Sequence, residues 1–327
     1  MRYRFLLISI IYFCIINKCF SQDPHFSQYF SSPLLLNPAN TGLFSGDIRF
    51  SSNYRNQWRS VSVPFTTATF STDFQLLNKY ITKGDMFGIG IIGVVDQSNN
   101  RGLKANSIGV STAYTKALDE RGYSKLGIGF QGVLTTKKID YNRFVFSRQF
   151  TPFGFDNTLP NGEPINGFII SYPDFSTGII YTGMNSLQSN WYFGGSYYHF
   201  TRPSENFSSQ NEMRLQPRVA LHAGYNFAIN EVNRLYLSSI YMNSEITQEF
   251  LFGGVMETYI NNYNYESRFL AGIFHRVKDA LIPYFGFSTE KLQIGISYDI
   301  STSTIKTATK SRGGFELSVL MFVLKDQ

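Results

Sequence analysis

Four histidines, His25, His199, His222 and His275, are the side chains best suited to hold a metal or move a proton. A metal site needs converging ligands, and no H-x-x-x-H pair brings two of them onto one face. Nucleophilic catalysis would need a serine beside a histidine and an orienting polar group. Serines are plentiful, but no G-x-S-x-G elbow occurs. Gly88-x-Gly90 and Gly127-x-Gly129 repeat at strand spacing, and no Lys-Ser/Thr helix start follows them, as a phosphate loop requires. They read as glycines that ease strand curvature beside aromatic neighbours. These residues point to no enzyme, no metal and no cofactor, which leaves the elements that carry them.

The first residues carry a compartment signal. Arg2 and Arg4 precede an apolar run from Phe5 to Ile16, and Cys19-Phe20-Ser21 places small residues at −3 and −1 of a cut before Gln22. That is the pattern of a secretory signal over residues 1–21, with an apolar run too short for a membrane anchor. Lys18 directly before Cys19 argues against lipoprotein processing. Both cysteines, Cys14 and Cys19, fall in the segment expected to be removed, so the mature chain would be held by hydrogen bonds and packing alone. Subtracting Arg2, Arg4 and Lys18 from the formal +6 leaves +3. The remaining basic residues are scattered, which is no nucleic-acid footprint.

Beyond residue 21, period-two alternation recurs almost to the carboxyl end. From Lys291, one face reads Leu292, Ile294, Ile296, Tyr298, Ile300 and the other Gln293, Gly295, Ser297, Asp299. Near residue 50, Asp47, Arg49, Ser51, Asn53, Arg55 and Gln57 all fall on one face. Six polar positions in a row suit a wet lumen better than a soluble core, where unpaired charges are costly. With Tyr 21, Phe 31 and Gly 27 against 16% charged residues, the profile is that of an all-β, transmembrane antiparallel β-barrel. No run of about 18 apolar residues follows residue 21, so helical spans are not expected.

The spacing predicts about fourteen strands, each near the roughly 9–11 residues that cross a bilayer when tilted. They fall near 46–58, 65–76, 86–95, 106–118, 123–135, 173–183, 189–200, 214–229, 233–243, 246–260, 264–277, 280–289, 291–300 and 314–324. The division is then a signal at 1–21, a periplasmic or plug segment at 22–45 and a barrel at 46–327. If the first strand runs outward, the long polar connections 96–105, 136–172, 201–213 and 301–313 all lie outside. The connections of the other parity are mostly short, apart from 77–85, which is the asymmetry such barrels show. By the same parity His222 shares a hydrated lumen face with Arg218 and Asn226. His199, inside Tyr197-Tyr198-His199-Phe200, reads as a girdle residue near an outer strand end. The aromatics of 136–172 favour a folded cap or plug, and Lys306, Lys310 and Arg312 on the last outer loop could meet lipopolysaccharide phosphates.

Residues 22–45 read as neither strand nor helix. Phe26, Tyr29 and Phe30 are too apolar to leave in water, so the stretch is expected to pack at the periplasmic mouth, with Asn37-Pro38 turning the chain into the first strand. The run Gln22-Asp23-Pro24-His25-Phe26-Ser27-Gln28-Tyr29, followed by Asn37-Pro38-Ala39-Asn40-Thr41-Gly42, strongly resembles the opening of the PorP/SprF family of Bacteroidetes outer-membrane proteins. Tyr54-Arg55-Asn56-Gln57-Trp58 and Gly313-Gly314-Phe315-Glu316-Leu317-Ser318 extend the resemblance over the mature chain. One departure is the ending: Phe322 is followed by five further residues, where a barrel usually ends on an aromatic.

The resemblance implies an outer-membrane component of the type IX secretion system. Its implied partners are the secretion machinery and exported client proteins, often gliding adhesins, within a setting of lipid and lipopolysaccharide. Phe26, Tyr29, Phe30, Asn37, Pro38, Gly42, Arg55 and Trp58 are the candidate partner-binding or structural residues. The competing reading is a passive porin, which depends on whether 22–45 or 136–172 enters the lumen.

Overall fold

In the computed structural model the chain closes into one antiparallel barrel. It is described for residues 25–324 outside 60–62, 78–79, 99–100, 157, 163–166, 187, 207–212, 246, 261–266 and 304–309. The expected signal at 1–21 and Lys306 lie outside the described residues. The first strands are β1 (Ile48–Gln57), β2 (Phe65–Leu76), β3 (Met86–Ser98), β4 (Leu103–Ala117) and β5 (Ser124–Asp140). A minute hairpin follows, β6 (Phe150–Thr151) with β7 (Gly154–Phe155). The wall resumes with β8 (Gly167–Ser186), β9 (Ser189–Tyr198), β10 (Arg218–Ala228), β11 (Asn233–Ser244) and β12 (Gln248–Tyr259). It ends with β13 (Arg268–Arg276), β14 (Ala280–Ser288), β15 (Leu292–Ser301) and β16 (Arg312–Val323). Fourteen of these strands form the wall, and β1 pairs β16 from Ile48 opposite Val323 to Gln57 opposite Gly314. Closure leaves no open edge, as lipid demands, because lipid offers nothing to hydrogen-bond an unpaired strand.

Each of the fourteen expected segments is a wall strand. The main difference is length. β5 and β8 pair as far as Asp140 opposite Gly167, so the largest connection shrinks from 136–172 to 141–166. Lys137 and Lys138 make both faces of the added stretch polar, which masks it as a loop to a hydropathy pattern. The connections 141–166 and 199–217 share one end of the barrel, here the loop end. The opposite, terminal end holds the start of β1 and the end of β16. A turn at that end shows how short connections close. Asp119 accepts from the N–H groups of Ser124, Tyr123 and Arg121. The Ser124 N–H, with the others, holds the carboxyl below the usual carboxylate range.

Alternation sorts the faces. Phe70, Ile91, Ile108, Phe130, Phe193, Ile273 and Ile296 are exposed on the outward face. Inward residues around the segment before β1 are buried, and the expectation of a wet lumen fails there. Leu251, Phe274, Ile282 and Tyr284 pack with Tyr198 and Ile240 around Tyr29, which belongs to the segment before β1. No helix among the described residues is long and apolar enough to cross a membrane.

Ile296 stands beside Phe285 and Leu317 on the outward face. Ile296→Arg is expected to cost about 2–4 kcal/mol near the bilayer midplane, measured by denaturant unfolding in lipid vesicles. Unchanged stability would place Ile296 outside the lipid belt.

Candidate functional site in the lumen

The candidate site is the segment that the lumen encloses. Two prolines and an asparagine give it its path. Pro33 opens a single helical turn, Pro33–Leu36, and Asn37 ends it with extended backbone. The Asn37 side chain then accepts from the Ala39 N–H at 2.9 Å and caps a 3-10 turn, Pro38–Asn40. The Thr41 hydroxyl donates back to the Pro38 carbonyl at 2.8 Å. Gly42 follows at φ +73°, and a Cβ there would overlap the Gly88 backbone. The spacing Asn-Pro-x-x-x-Gly is thus a capped turn that ends where only glycine fits.

The segment does not stop at the mouth near β1. It crosses the whole lumen, which corrects the expected packing at the periplasmic mouth. At the loop end, His25 lies 3.5 Å from Glu249 near the start of β12. The backbone N–H groups of Ser27 and Gln28 donate to the Glu316 carboxylate at 2.7 and 2.9 Å. The Ser27 hydroxyl donates to Asp299 at 2.7 Å. Around these contacts two guanidinium groups face the carboxylates of Glu316 and Asp299, with Glu249 and Asp279 also beside Arg276. Arg55 pairs with Glu316 and, at 2.9 Å, with Asp299; Arg276 reaches Asp299 at 3.0 Å and the Ser27 hydroxyl at 2.6 Å. Arg55 is 1% exposed and Glu316 0%. Such charges persist in a lumen only because each has partners; removing one partner of a buried pair costs about 3–5 kcal/mol.

Midway, Phe30 stacks on Phe274 at 5.5 Å and meets Tyr284 edge-on. The Gln131 amide donates to the Leu34 carbonyl, and the Tyr198 hydroxyl to that of Leu35. The Asn37 amide donates to the carbonyls of Ile179 and Gly195 at 3.0 and 3.3 Å and lies 3.0 Å from His222 Nε2. Toward the terminal end, the Thr41 and Ser111 hydroxyls are 2.6 Å apart, and the Gly42 N–H donates to Asp73 at 2.8 Å. Arg49 binds the same Asp73 carboxylate at 2.7 Å. Near β1 the segment leaves the lumen, with Gly46 close to Val323.

A row of small inward residues makes room for this path. Gly88 lies opposite Ala113, Ala113 opposite Gly129, Gly129 opposite Gly178, Gly178 opposite Ser196 and Ser196 opposite Ala220. A Cβ on Gly88 would overlap Thr41, on Gly129 Pro38, and on Gly178 Asn37. These glycines are a seat for another backbone, rather than aids to curvature alone.

Of the residues named from sequence, Phe26, Tyr29, Phe30, Asn37, Pro38, Gly42 and Arg55 come together here. Phe26 and Tyr29 are buried, and Asn37 is fully so. Asn37-Pro38 bends the chain in mid-lumen, well before β1 starts at Ile48, so it is not the turn into the first strand. Trp58 lies apart. It sits just past β1 at φ +58° and meets Phe65 edge-on at 5.3 Å. Two histidines also differ from expectation. His222 is 2% exposed against the segment instead of hydrated. His199 is buried, with Nδ1 2.6 Å from Asp174, rather than a girdle residue. The aromatics of 141–166 form no plug: Phe150, Phe153 and Phe155 are exposed around the β6–β7 hairpin. Ser27, Gln28, Asp73, Arg276, Asp299 and Glu316 were not among the candidate residues. For Asp73, Arg276, Asp299 and Glu316 the signal was inward parity, with Asp73 and Glu316 opposite arginines of β1; Ser27 and Gln28 lie before the strands and carry no such signal.

Asn37→Ala removes the four hydrogen-bond contacts of that side chain and leaves the Ile179 and Gly195 carbonyls without that donor, so a loss of about 1–3 kcal/mol is expected in denaturant unfolding. Trp58→Ala should cost far less in seating the segment, measured as protease resistance of residues 25–45 in the folded barrel. Equal protease sensitivity of the two variants would contradict this map.

No curated protein matches the sequence. Among solved structures, the barrel is similar to the Pseudomonas putida toluene transporter TodX, at TM-score 0.52 and 9% identity over 93% of this chain and 98% of that one. It is similar also to the Ralstonia pickettii toluene transporter TbuX, at TM-score 0.50 and 11% identity over 89% and 92%. At that identity they speak for the fold alone. The family model described as type IX secretion system membrane protein PorP/SprF matches residues 18–321, and the chain, a closed barrel of outer-membrane type, belongs to that family.

Proposed function

We propose that this barrel is a plugged, non-catalytic platform in the outer membrane that supports export or surface attachment of client proteins such as gliding adhesins. The signal at 1–21 delivers it there, and the loop end faces the cell surface, as long connections do in such barrels. One observation carries the reading: residues 26–44 occupy the lumen from the ionic cluster at the loop end to Asp73 at the terminal end. A general porin gives that volume to water. Here the lumen is filled with hydrogen-bonded chain, and what the barrel presents to partners is its two faces.

The plug ties those faces together. Phe26, Tyr29 and Phe30 are its apolar anchor, each worth roughly 1.5–3 kcal/mol when buried. Asn37, Pro38 and Gly42 set its path, and Arg55 holds its start. The secretion machinery would meet the terminal face and the client the loop face, where Trp58 and the 141–166 connection stand.

Planar-bilayer recording and a surface assay of the client test this together. The intact protein should give no steady conductance, and its loss should deplete the client from the cell surface. Removal of residues 24–36 should leave a heat-modifiable barrel that conducts and no longer supports the client. Porin-like conductance of the intact protein, with normal client display in its absence, would overturn the proposal.

A further inference from the structure

The outward face of β3, β4 and β5 is not smooth. Phe87 lies opposite Tyr114 and Tyr114 opposite Ile128, so three bulky groups share one row. One row deeper toward mid-barrel, Thr112 stands opposite Phe130; one row nearer the terminal end, Lys116 stands opposite Leu126. Thr112 is short among large neighbours. Its hydroxyl donates to the Gly88 carbonyl at 3.1 Å, so it asks nothing of a polar ligand. The result is a groove of about 400 Å³ walled by Phe87, Tyr114, Leu126, Ile128 and Phe130. Pockets of roughly 300–1,000 Å³ are the usual size for small ligands.

The groove has a direction. It is apolar along its length and ends on Lys116, close to the terminal end of β4. Lys83 and Arg121 stand exposed in turns at the same end. The acids there include Asp85, Asp119 and Glu120. Asp85 accepts from the Tyr114 hydroxyl at 2.5 Å and the Ala117 N–H at 2.8 Å. Asp119 is taken up by its own turn. Both carboxylates keep their charge, and Asp85 stands close enough to Lys116 and Lys125 to interact with them; Lys83, Lys116, Arg121 and Lys125 nevertheless outnumber Asp85, Asp119 and Glu120 at this end, and Lys116 lines the groove mouth. A ligand that matches has a long apolar chain lying along the strands and an anionic head at the level of the terminal-end turns. Basic side chains near the membrane surface attract anionic lipid heads, and a lysine stem can lie along apolar surface with its charge at that level.

We propose that this groove is a lipid-binding site that holds one acyl chain of an anionic glycerophospholipid of the inner leaflet, with its phosphate at Lys116. The site lies on the outside of the wall, separate from the plug.

Native mass spectrometry of the intact barrel in detergent tests it, with phosphatidylglycerol, phosphatidylcholine and free palmitate supplied in turn. One phosphatidylglycerol should be retained in preference to the other two. Thr112→Phe fills the groove and should lower that retention about tenfold, equivalent to the burial of one or two methylenes. Ile128→Trp, which narrows the groove from the opposite wall, should act in the same direction and gives an independent reading. Lys116→Glu should abolish the preference over phosphatidylcholine. Heat-modifiable gel mobility establishes that each variant is folded. Equal retention by the wild type and folded groove-filling variants, no preference for phosphatidylglycerol in the wild type, palmitate bound as well as the phospholipid, or a lipid-free dimer would each overturn the proposal.

Discussion

Arg55 on β1 and Glu316 on β16 face each other across the seam that closes the barrel, and both are buried. A carboxylate and a guanidinium in such a place need every partner they can find. Asp299, itself held by Arg276, supplies one to Arg55, and the backbone N–H groups of Ser27 and Gln28 supply two to Glu316. The seam and the start of the plug are thus one hydrogen-bonded unit. Without the plug, the Glu316 carboxylate loses two donors and must be hydrated; with it, the first and last strands are joined by a third element. Barrel closure and plug seating satisfy the same charges.

The wall works between two unlike surroundings. Outward positions beyond the β3–β5 groove meet lipid and are mostly apolar, so Ile, Phe and Val recur there. Inward positions meet a specific backbone. The small row from Gly88 to Ala220 matches the turn Pro38–Asn40 and its flanks, where a Cβ at Gly88, Gly129 or Gly178 would overlap. The opposite part of the lumen is filled by large side chains, Leu251, Phe274 and Tyr284, that close around Tyr29 and Phe30. Small residues where the plug's backbone passes and large ones where its aromatics lie give it a single seating, with the side chains of Asn37, Asn40 and Thr41 hydrogen-bonded.

The wall was legible because its period is local: each strand shows its two faces within about ten residues, and Ile296 against Ser297 needs no knowledge of any other strand. The plug was legible only as a need. Phe26, Tyr29 and Phe30 had to be buried, but nothing near them in sequence tells whether they lie at a mouth or inside the lumen. That depends on Glu316 and Asp299, far along the chain, and on glycines whose neighbours are set by register. Ser297 shows the consequence. From its parity it belongs to the face read as a wet lumen, yet it accepts a hydrogen bond from Gln28 at 3.0 Å and is buried. His222 misled in the same way. Inward parity was right in each case, and the inference from inward to wet was wrong because a segment before the barrel fills the space.

The central claim, that residues 26–44 lie inside the lumen, can be tested by paired cysteines, since Cys14 and Cys19 are the only native ones and both precede the segment. The Thr41 and Ser111 hydroxyls are 2.6 Å apart, and those of Ser32 and Thr69 are 3.5 Å apart. Thr41→Cys with Ser111→Cys, and Ser32→Cys with Thr69→Cys, should each form a disulfide in the folded barrel under mild oxidation, detected as a mobility shift reversed by reductant. If 41–111 forms while 32–69 does not, the segment turns back at the terminal end and does not cross the lumen.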